Sequence, residues 1–157
     1  MAQIGVVSYN ADEAVETRSV YYSGEDTLPT GAVLCYKHDA EVGADDRKLQ
    51  RGVNVVKPAT ANLMYPAGIL DPRDAGKTGP CYVRVIVPRR GSFVTALVKA
   101  NATGGTTMLA PENDSYALAA HTGAETNTLV QNEPCIAVAT ETANTSSEAA
   151  TKLVALR

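Results

Sequence analysis

The feature that most constrains the fold of this chain is a pair of apolar, β-branched segments separated by a short turn. The first segment covers residues 81–87 and the second covers residues 92–98, with Pro88 and Gly91 in the turn between them. β-Branched and aromatic residues favour strands, whereas proline and glycine favour turns. The two segments therefore predict a central β-hairpin.

Successive side chains of a strand point to opposite faces, so the first segment divides into two sets. The outward set contains the only charge, in the series Tyr82, Arg84 and Ile86. The core face is predicted to carry the other residues, Cys81, Val83, Val85 and Val87.

The remaining apolar segments are also short and are bounded by glycine or proline, which favours strands over helices. Residues 30–36, 52–58 and 67–70 each read as one strand. The sequence therefore predicts an all-β protein in which helix is limited to a turn or two.

The last third of the chain repeats this series of short strands. Four of its segments match earlier ones in order and character, although few residues are identical: 103–109 with 30–34, 115–118 with 53–56, 136–139 with 68–70, and 151–156 with 83–87. Such a repeat suits two stacked small barrels or one sheet folded on itself. We expect an N-terminal arm over residues 1–28, a first β module with the central hairpin over residues 29–100, and a second β module over residues 101–157.

The N-terminal arm is acidic in its middle and has little apolar surface with which to build a core. Its apolar and aromatic residues are therefore candidates for contact with a partner, and they are Val6, Val7, Tyr9, Tyr21 and Tyr22. Tyrosine provides a large contact area and a polar end that tolerates partial exposure. The alternative is that these tyrosines pack back on the barrel.

Composition argues against several classes of partner. The net charge is −3, and the lysines and arginines are scattered apart from Arg89 and Arg90, so there is no basic stripe for nucleic acid. No apolar run approaches the roughly 20 residues of a membrane-spanning helix. The three cysteines, Cys35, Cys81 and Cys135, each lie in an apolar run, which predicts buried thiols in a reducing compartment.

Motifs that would carry chemistry are incomplete in this sequence. The Gly76-Lys77-Thr78 triplet lacks the upstream glycine of a phosphate-binding loop, because Asp71 occupies that position. Cys35, His38 and Asp39, with His121 or Cys135, do not include the second closely spaced pair that would complete a metal site. The charged run at 71–74 reads as a solvated loop. We expect no enzyme activity, no cofactor and no metal.

Four segments together, residues 28–34, 52–60, 66–70 and 83–85, resemble the capsid decoration (head-stabilising) proteins of tailed bacteriophages. They read Leu-Pro-Thr-Gly-Ala-Val-Leu, Gly-Val-Asn-Val-Val-Lys-Pro-Ala-Thr, Pro-Ala-Gly-Ile-Leu and Val-Arg-Val. The resemblance implies small modules of the β-barrel or β-tulip type. It also implies a non-enzymatic protein, made in the host cytoplasm, that binds the major capsid protein on the outside of an icosahedral shell. It further implies a homotrimer whose arm reaches across neighbouring capsid subunits.

Two other functions fit a chain of this kind. One is another structural component of the virion, such as a head fibre base or a tail accessory protein. The other is a carbohydrate-binding or ligand-binding β module, against which stand the absence of tryptophan and the lack of an evident aromatic cluster.

Overall fold

The structure is a computed structural model that describes residues 15–37, 53–89, 92–99, 102–121, 135–142 and 149–157. These residues form ten β-strands and one short 3₁₀ turn, Pro72–Asp74. The prediction of an all-β protein is therefore confirmed. In the part of the chain so described, no helix has the length and apolar character needed to cross a membrane.

The first five strands close into a barrel. In chain order they are β1 (Thr17–Tyr22), β2 (Val33–Tyr36), β3 (Asn54–Val56), β4 (Pro66–Leu70) and β5 (Cys81–Ile86). Around the barrel they follow the order β1-β3-β2-β4-β5, and β5 pairs again with β1. The barrel interior is filled by buried apolar side chains that include Val20, Tyr22, Leu34, Val55, Leu70, Val83 and Val85.

The last five strands close into a second barrel. They are β6 (Phe93–Val98), β7 (Met108–Pro111), β8 (Leu118–Ala120), β9 (Ala137–Ala139) and β10 (Ala150–Leu156). Their order, β6-β8-β7-β9-β10, is that of the first barrel strand for strand, and each barrel has one parallel pair, β1 with β3 and β6 with β8. The prediction of two small barrel modules is confirmed, and the matched segments of the repeat fall on equivalent strands.

The predicted central hairpin is wrong. Strand β5 pairs with β1 and β4, whereas β6 pairs with β8 and β10, so the two strands belong to different barrels. All six residues of β5 are already matched by β1, in a register that runs from Tyr22 opposite Cys81 to Thr17 opposite Ile86. The segment after β5 therefore carries the chain to the second barrel rather than turning β6 back on β5.

The predicted boundaries of the N-terminal arm also need correction. Residues 17–22 form β1, which is the partner of both β3 and β5, so this part of the arm is a wall of the first barrel. Two alternate side chains on its inner face, Val20 and Tyr22, are enough to anchor it because each is fully buried. Strand β6, which the sequence placed in the first module, belongs to the second barrel.

The two barrels are packed against each other through an apolar row on the outside of the first. Val33, Ile69 and Ile86 are neighbours across β2, β4 and β5, and all three are buried in the same apolar cluster as the core of the second barrel. Their side chains face away from the interior of the first barrel, because Leu34, Leu70 and Val85 occupy that interior. The contact therefore fixes one barrel against the other.

Two backbone hydrogen bonds join the barrels beside this apolar row. The N–H of Val33 donates to the carbonyl of Tyr116 at 2.8 Å, and the N–H of Leu97 donates to the carbonyl of Gly31 at 2.8 Å. Gly31 has a φ of 73°, and a Cβ atom there would lie 2.7 Å from the nitrogen of Leu97. Glycine is therefore needed where the two backbones meet.

Candidate surface site

A groove of about 290 Å³ lies where the two barrels meet. One wall comes from the second barrel, whose strands β6 and β10 place Thr95 directly opposite Leu153 on the outward face. The other wall comes from the first barrel, where Thr17 of β1 lies opposite Ile86 of β5. The junction thus creates a concave surface that neither barrel has alone.

Two large apolar side chains of this groove are left uncovered. Phe93 is 60% exposed and Leu153 is 41% exposed. Both alternate with buried residues of the second barrel core, Val94 and Val154, so the strand pattern forces them outward. Exposed apolar side chains that gather in a concavity are typical of a binding surface.

The rim of the groove includes the 3₁₀ turn, which is held by two buried carboxylates. The side chain of Asp71 caps the turn by accepting a hydrogen bond from the N–H of Arg73, and it also pairs with the Arg73 guanidinium at 2.7 Å. The pKa of the Asp71 carboxyl is lowered chiefly by this hydrogen-bonded guanidinium. The charges of Asp71 and Arg73 therefore balance each other at the rim of the groove.

Asp74, at the end of the same turn, ties it to β5. Its carboxylate accepts hydrogen bonds from the backbone N–H of Arg84 at 2.7 Å and from the Arg84 Nε at 3.1 Å, and it pairs with Lys77 at 2.7 Å. The hydrogen-bonded Arg84 side chain is the main reason that the pKa of Asp74 is strongly lowered. The reading of residues 71–74 as a solvated loop is wrong for both aspartates, since Asp71 is 3% and Asp74 2% exposed.

Tyr21, one of the residues proposed from the sequence to contact a partner, belongs to an aromatic pair on the outside of the first barrel. It lies opposite Tyr82 in the β1–β5 ladder, with the ring centroids 5.2 Å apart and the rings inclined at 62°. Tyr82 is 67% exposed. The sequence did not reveal this cluster because the β1–β5 register that brings the two rings together was not anticipated.

Tyr22, another of those candidates, lies inside the first barrel and is only 1% exposed, so it offers no surface to a partner. Alternation along β1 explains the difference, because Tyr21 points outward and its neighbour must point inward. The hydroxyl of Tyr22 is hydrogen-bonded to that of Tyr116 at 2.5 Å, and the Tyr116 hydroxyl donates to Asp26 at 2.9 Å. The alternative reading, in which the tyrosine packs back on the barrel, is correct for Tyr22.

Tyr22 takes part in a polar contact between the barrels, together with Tyr116 and Asp26. Tyr116 of the second barrel has a raised pKa, first because of burial and then because of its bonds to Tyr22 and Asp26. Lys57 lies 5.8 Å from the centre of the Tyr116 ring and forms an ion pair with Asp114 at 2.8 Å. The polar contact and the apolar row therefore both join the barrels.

The other candidates of the arm, Val6, Val7 and Tyr9, lie outside the residues that the structure describes. The same is true of His38 and Asp39, which the sequence had raised as metal ligands. Within the described ranges, no group of three His, Cys, Asp or Glu side chains is arranged to hold a metal ion.

The three cysteines differ in environment. Cys35 is fully buried in the first barrel, and burial raises the pKa of its thiol to about 12. Cys81 and Cys135 are half-buried. The expectation of deeply buried thiols therefore applies to Cys35 alone, because β5 and the segment before β9 leave the other two near the surface.

Comparison of the chain with protein-family models, with curated proteins and with solved structures gives no match.

Proposed function

We propose that this chain is a structural virion protein that binds the outer surface of an icosahedral capsid and stabilises it. In this proposal its partners are the major capsid protein and further copies of itself in a homotrimer, and it is made in the host cytoplasm. Val6, Val7, Tyr9 and Tyr21 are proposed contacts with the shell, together with the inter-barrel groove. Tyr22 is left out because it is buried.

The observation that carries the proposal is the groove between two closed barrels. Closed barrels leave few free strand edges and make durable modules, and the exposed Phe93 and Leu153 give this pair an apolar surface on which a protein partner can be bound. The sequence resemblance to capsid decoration proteins supplies the identity of that partner. Joining three such chains would raise the effective concentration of each modest contact.

The test is co-sedimentation of the full-length protein with tailed-phage shells that lack a decoration protein. We expect saturable binding at a fixed ratio of chains to capsid subunits. Light scattering after size-exclusion chromatography should give about three times the 16.5 kDa chain mass. Failure to sediment with any shell at micromolar protein would overturn the proposal, and a monomeric mass would overturn its trimer.

A matched pair of variants locates the contact. Phe93→Ser should weaken shell binding because it removes an exposed apolar side chain of the groove. Tyr116→Phe, which alters the polar contact between the barrels and is not a residue of the groove, serves as the control and should bind shells as the parent does. If the two variants bind shells equally well, the groove is not the contact surface.

One observation favours a second candidate, a ligand-binding β module. Tyr21 and the exposed Tyr82 form an aromatic pair on the outside of the first barrel, and the register of β3 places Asn54 beside Tyr21. Two rings and an amide suit a ligand with both apolar faces and hydroxyls. Binding of a glycan-array saccharide that is lost in Tyr82→Ala would support this candidate, and a blank array would dismiss it.

A further inference from the structure

Over the first residues of strand β6, one edge has no strand partner among the residues that the structure describes. The N–H of Leu156 donates to the carbonyl of Ser92, so residues 92, 94 and 96 carry the hydrogen bonds to β10. The backbone groups of Phe93 and Thr95 must then point away from β10. On that side β8 is in register only with Val98, so among the described residues no strand pairs with Phe93 or Thr95.

This free edge borders the groove. Phe93, Val94 and Thr95 are consecutive lining residues, although the Val94 side chain points into the barrel. Alternation means that Val94 borders the groove through its backbone. Two N–H and two C=O groups of one strand edge therefore lie beside the exposed side chains of Phe93 and Leu153.

Two ion pairs account for the charged side chains that the structure describes at the groove and its rim. Arg73 on the rim pairs with Asp71, and Arg89 pairs with Glu16, which lies between the lining residues Val15 and Thr17. A charged ligand would find no unmatched partner in these pairs. At about 290 Å³ the groove lies at the lower limit of the range of roughly 300–1,000 Å³ that is usual for small-molecule sites.

We propose that this groove binds an extended, uncharged, β-branched segment of a partner protein, which adds as a strand to β6 at Phe93 and Thr95. Backbone groups of a strand edge are matched best by the backbone of another strand, and alternate side chains of the added segment would contact Phe93 and Leu153. The inference depends on the proposed function only in naming the capsid protein as the source of the segment.

The probe is a capped eight-residue peptide of alternating valine and threonine, with a fluorescent label at one end. We expect saturable binding by fluorescence anisotropy and, in the unmodified protein, shifts of the Phe93 and Thr95 amide resonances on addition of the peptide. A peptide of the same sequence that is N-methylated at every residue has no peptide N–H to donate from either edge and should not bind. Binding at millimolar peptide concentrations that is equal for both peptides, or no binding at all, would overturn the proposal.

Variants separate the edge from the apolar wall. Thr95→Pro removes an N–H that is not used in the ladder with β10, so circular dichroism should be unchanged while binding weakens about tenfold. Leu153→Ala trims an exposed side chain of the wall and should also weaken binding, whereas Tyr82→Ala, on the outside of the first barrel, should not. Unchanged binding in both groove variants would show that the peptide binds elsewhere.

The peptide-binding and shell-binding experiments test the strand-addition site and the capsid assignment separately. If the peptide binds at the groove but no phage shell is bound, the capsid assignment fails and the strand-addition site stands. If shells are bound but the peptide is not bound at the groove, the strand-addition site fails and the capsid assignment stands.

Discussion

At the scale of single residues, the sequence predicted which side chains of a strand point inward and which point outward. It did not predict which outward side chains are covered by another part of the molecule. Val83 and Val85 were expected in the core of the first barrel and are buried there. Ile86 was expected to face outward, and it does, yet it is buried because the second barrel covers it. Asp71 and Asp74 were missed because the reading as a solvated loop did not anticipate their hydrogen bonds, which come from Arg73 to Asp71 and from Arg84 of β5 to Asp74.

The first prediction at this scale concerns Asp74. Its folded-state pKa is lowered from an ordinary value of 3.8, so its contribution to stability is present at neutral pH and is lost as the pH falls below about 4. Asp74→Asn should reduce the free energy of unfolding by about 1–3 kcal/mol at pH 7. In thermal melts from pH 7 to pH 2, the stability difference between the parent and the variant should shrink as the pH falls.

The control for Asp74 is Asp114→Asn, which removes an exposed carboxylate that also has a cationic partner, Lys57. Exposed ion pairs contribute little to stability. A constant difference between the parent and Asp74→Asn across this pH range would contradict the role assigned to the Asp74 carboxylate.

The second prediction at this scale compares two glycines of positive φ. Gly68 of β4 has a φ of 147°, and a Cβ atom there would collide with the carbonyl oxygen of Ile86. Gly76 has a φ of 81° but open space where a Cβ would lie. Gly68→Ala should cost about 3 kcal/mol or more, and Gly76→Ala about 1 kcal/mol, in urea unfolding. Equal costs would mean that φ alone, and not the close approach to β5, requires glycine at position 68.

At the scale of elements, the sequence located most strands but not their partners. The segments read as strands at residues 30–36, 52–58 and 81–87 contain β2, β3 and β5, and the segment at 67–70 contains all of β4 except Pro66. Their pairing depends on the closure of the barrel, in which β1 lies between β3 and β5. Local pattern carries no such information, so the hairpin between residues 81–87 and 92–98 was a natural but wrong conclusion, and β1 was taken for part of a free arm.

The prediction at this scale follows from the position of β1 between β3 and β5. Deleting residues 1–26 should abolish the cooperative melt of the full-length protein, because it exposes the edges of β3 and β5 and removes Val20 and Tyr22 from the core of the first barrel. Deleting residues 1–14 keeps every strand that the structure describes and is the control. A truncation at residue 26 that melts at the parent temperature would show that β1 is dispensable.

At the scale of the whole molecule, the two barrels are expected to unfold as one unit. The apolar row of Val33, Ile69 and Ile86 is continuous with the core of the second barrel, and the hydroxyl of Tyr116 bonds to Tyr22 from across the junction. The sequence predicted two modules and their repeat. The sequence could not predict that the two modules share one apolar cluster. The pattern of each strand shows which residues face outward, but it does not show which outward face contacts the other barrel.

The prediction at this scale is a single urea transition with the same midpoint by circular dichroism and by tyrosine fluorescence. Ile69→Ala should lower the free energy of unfolding by about 2–4 kcal/mol because Ile69 is fully buried at the junction. The control is Val138→Ala, at the equivalent position of β9, where the side chain is half-buried. Two separate transitions in the parent protein would contradict the single unit.

Ile69 of β4 and Val138 of β9 occupy equivalent positions in the two barrels, but only Ile69 is buried at the junction. The first barrel contributes its row of Val33, Ile69 and Ile86, while the corresponding row of the second barrel, Met108, Val138 and Ala155, is only half-buried and is not part of the shared cluster. The two barrels therefore meet head to tail and not about a two-fold axis. Equivalent positions of the two barrels therefore differ in burial, so the effect of a substitution on one barrel does not predict the effect of its counterpart on the other.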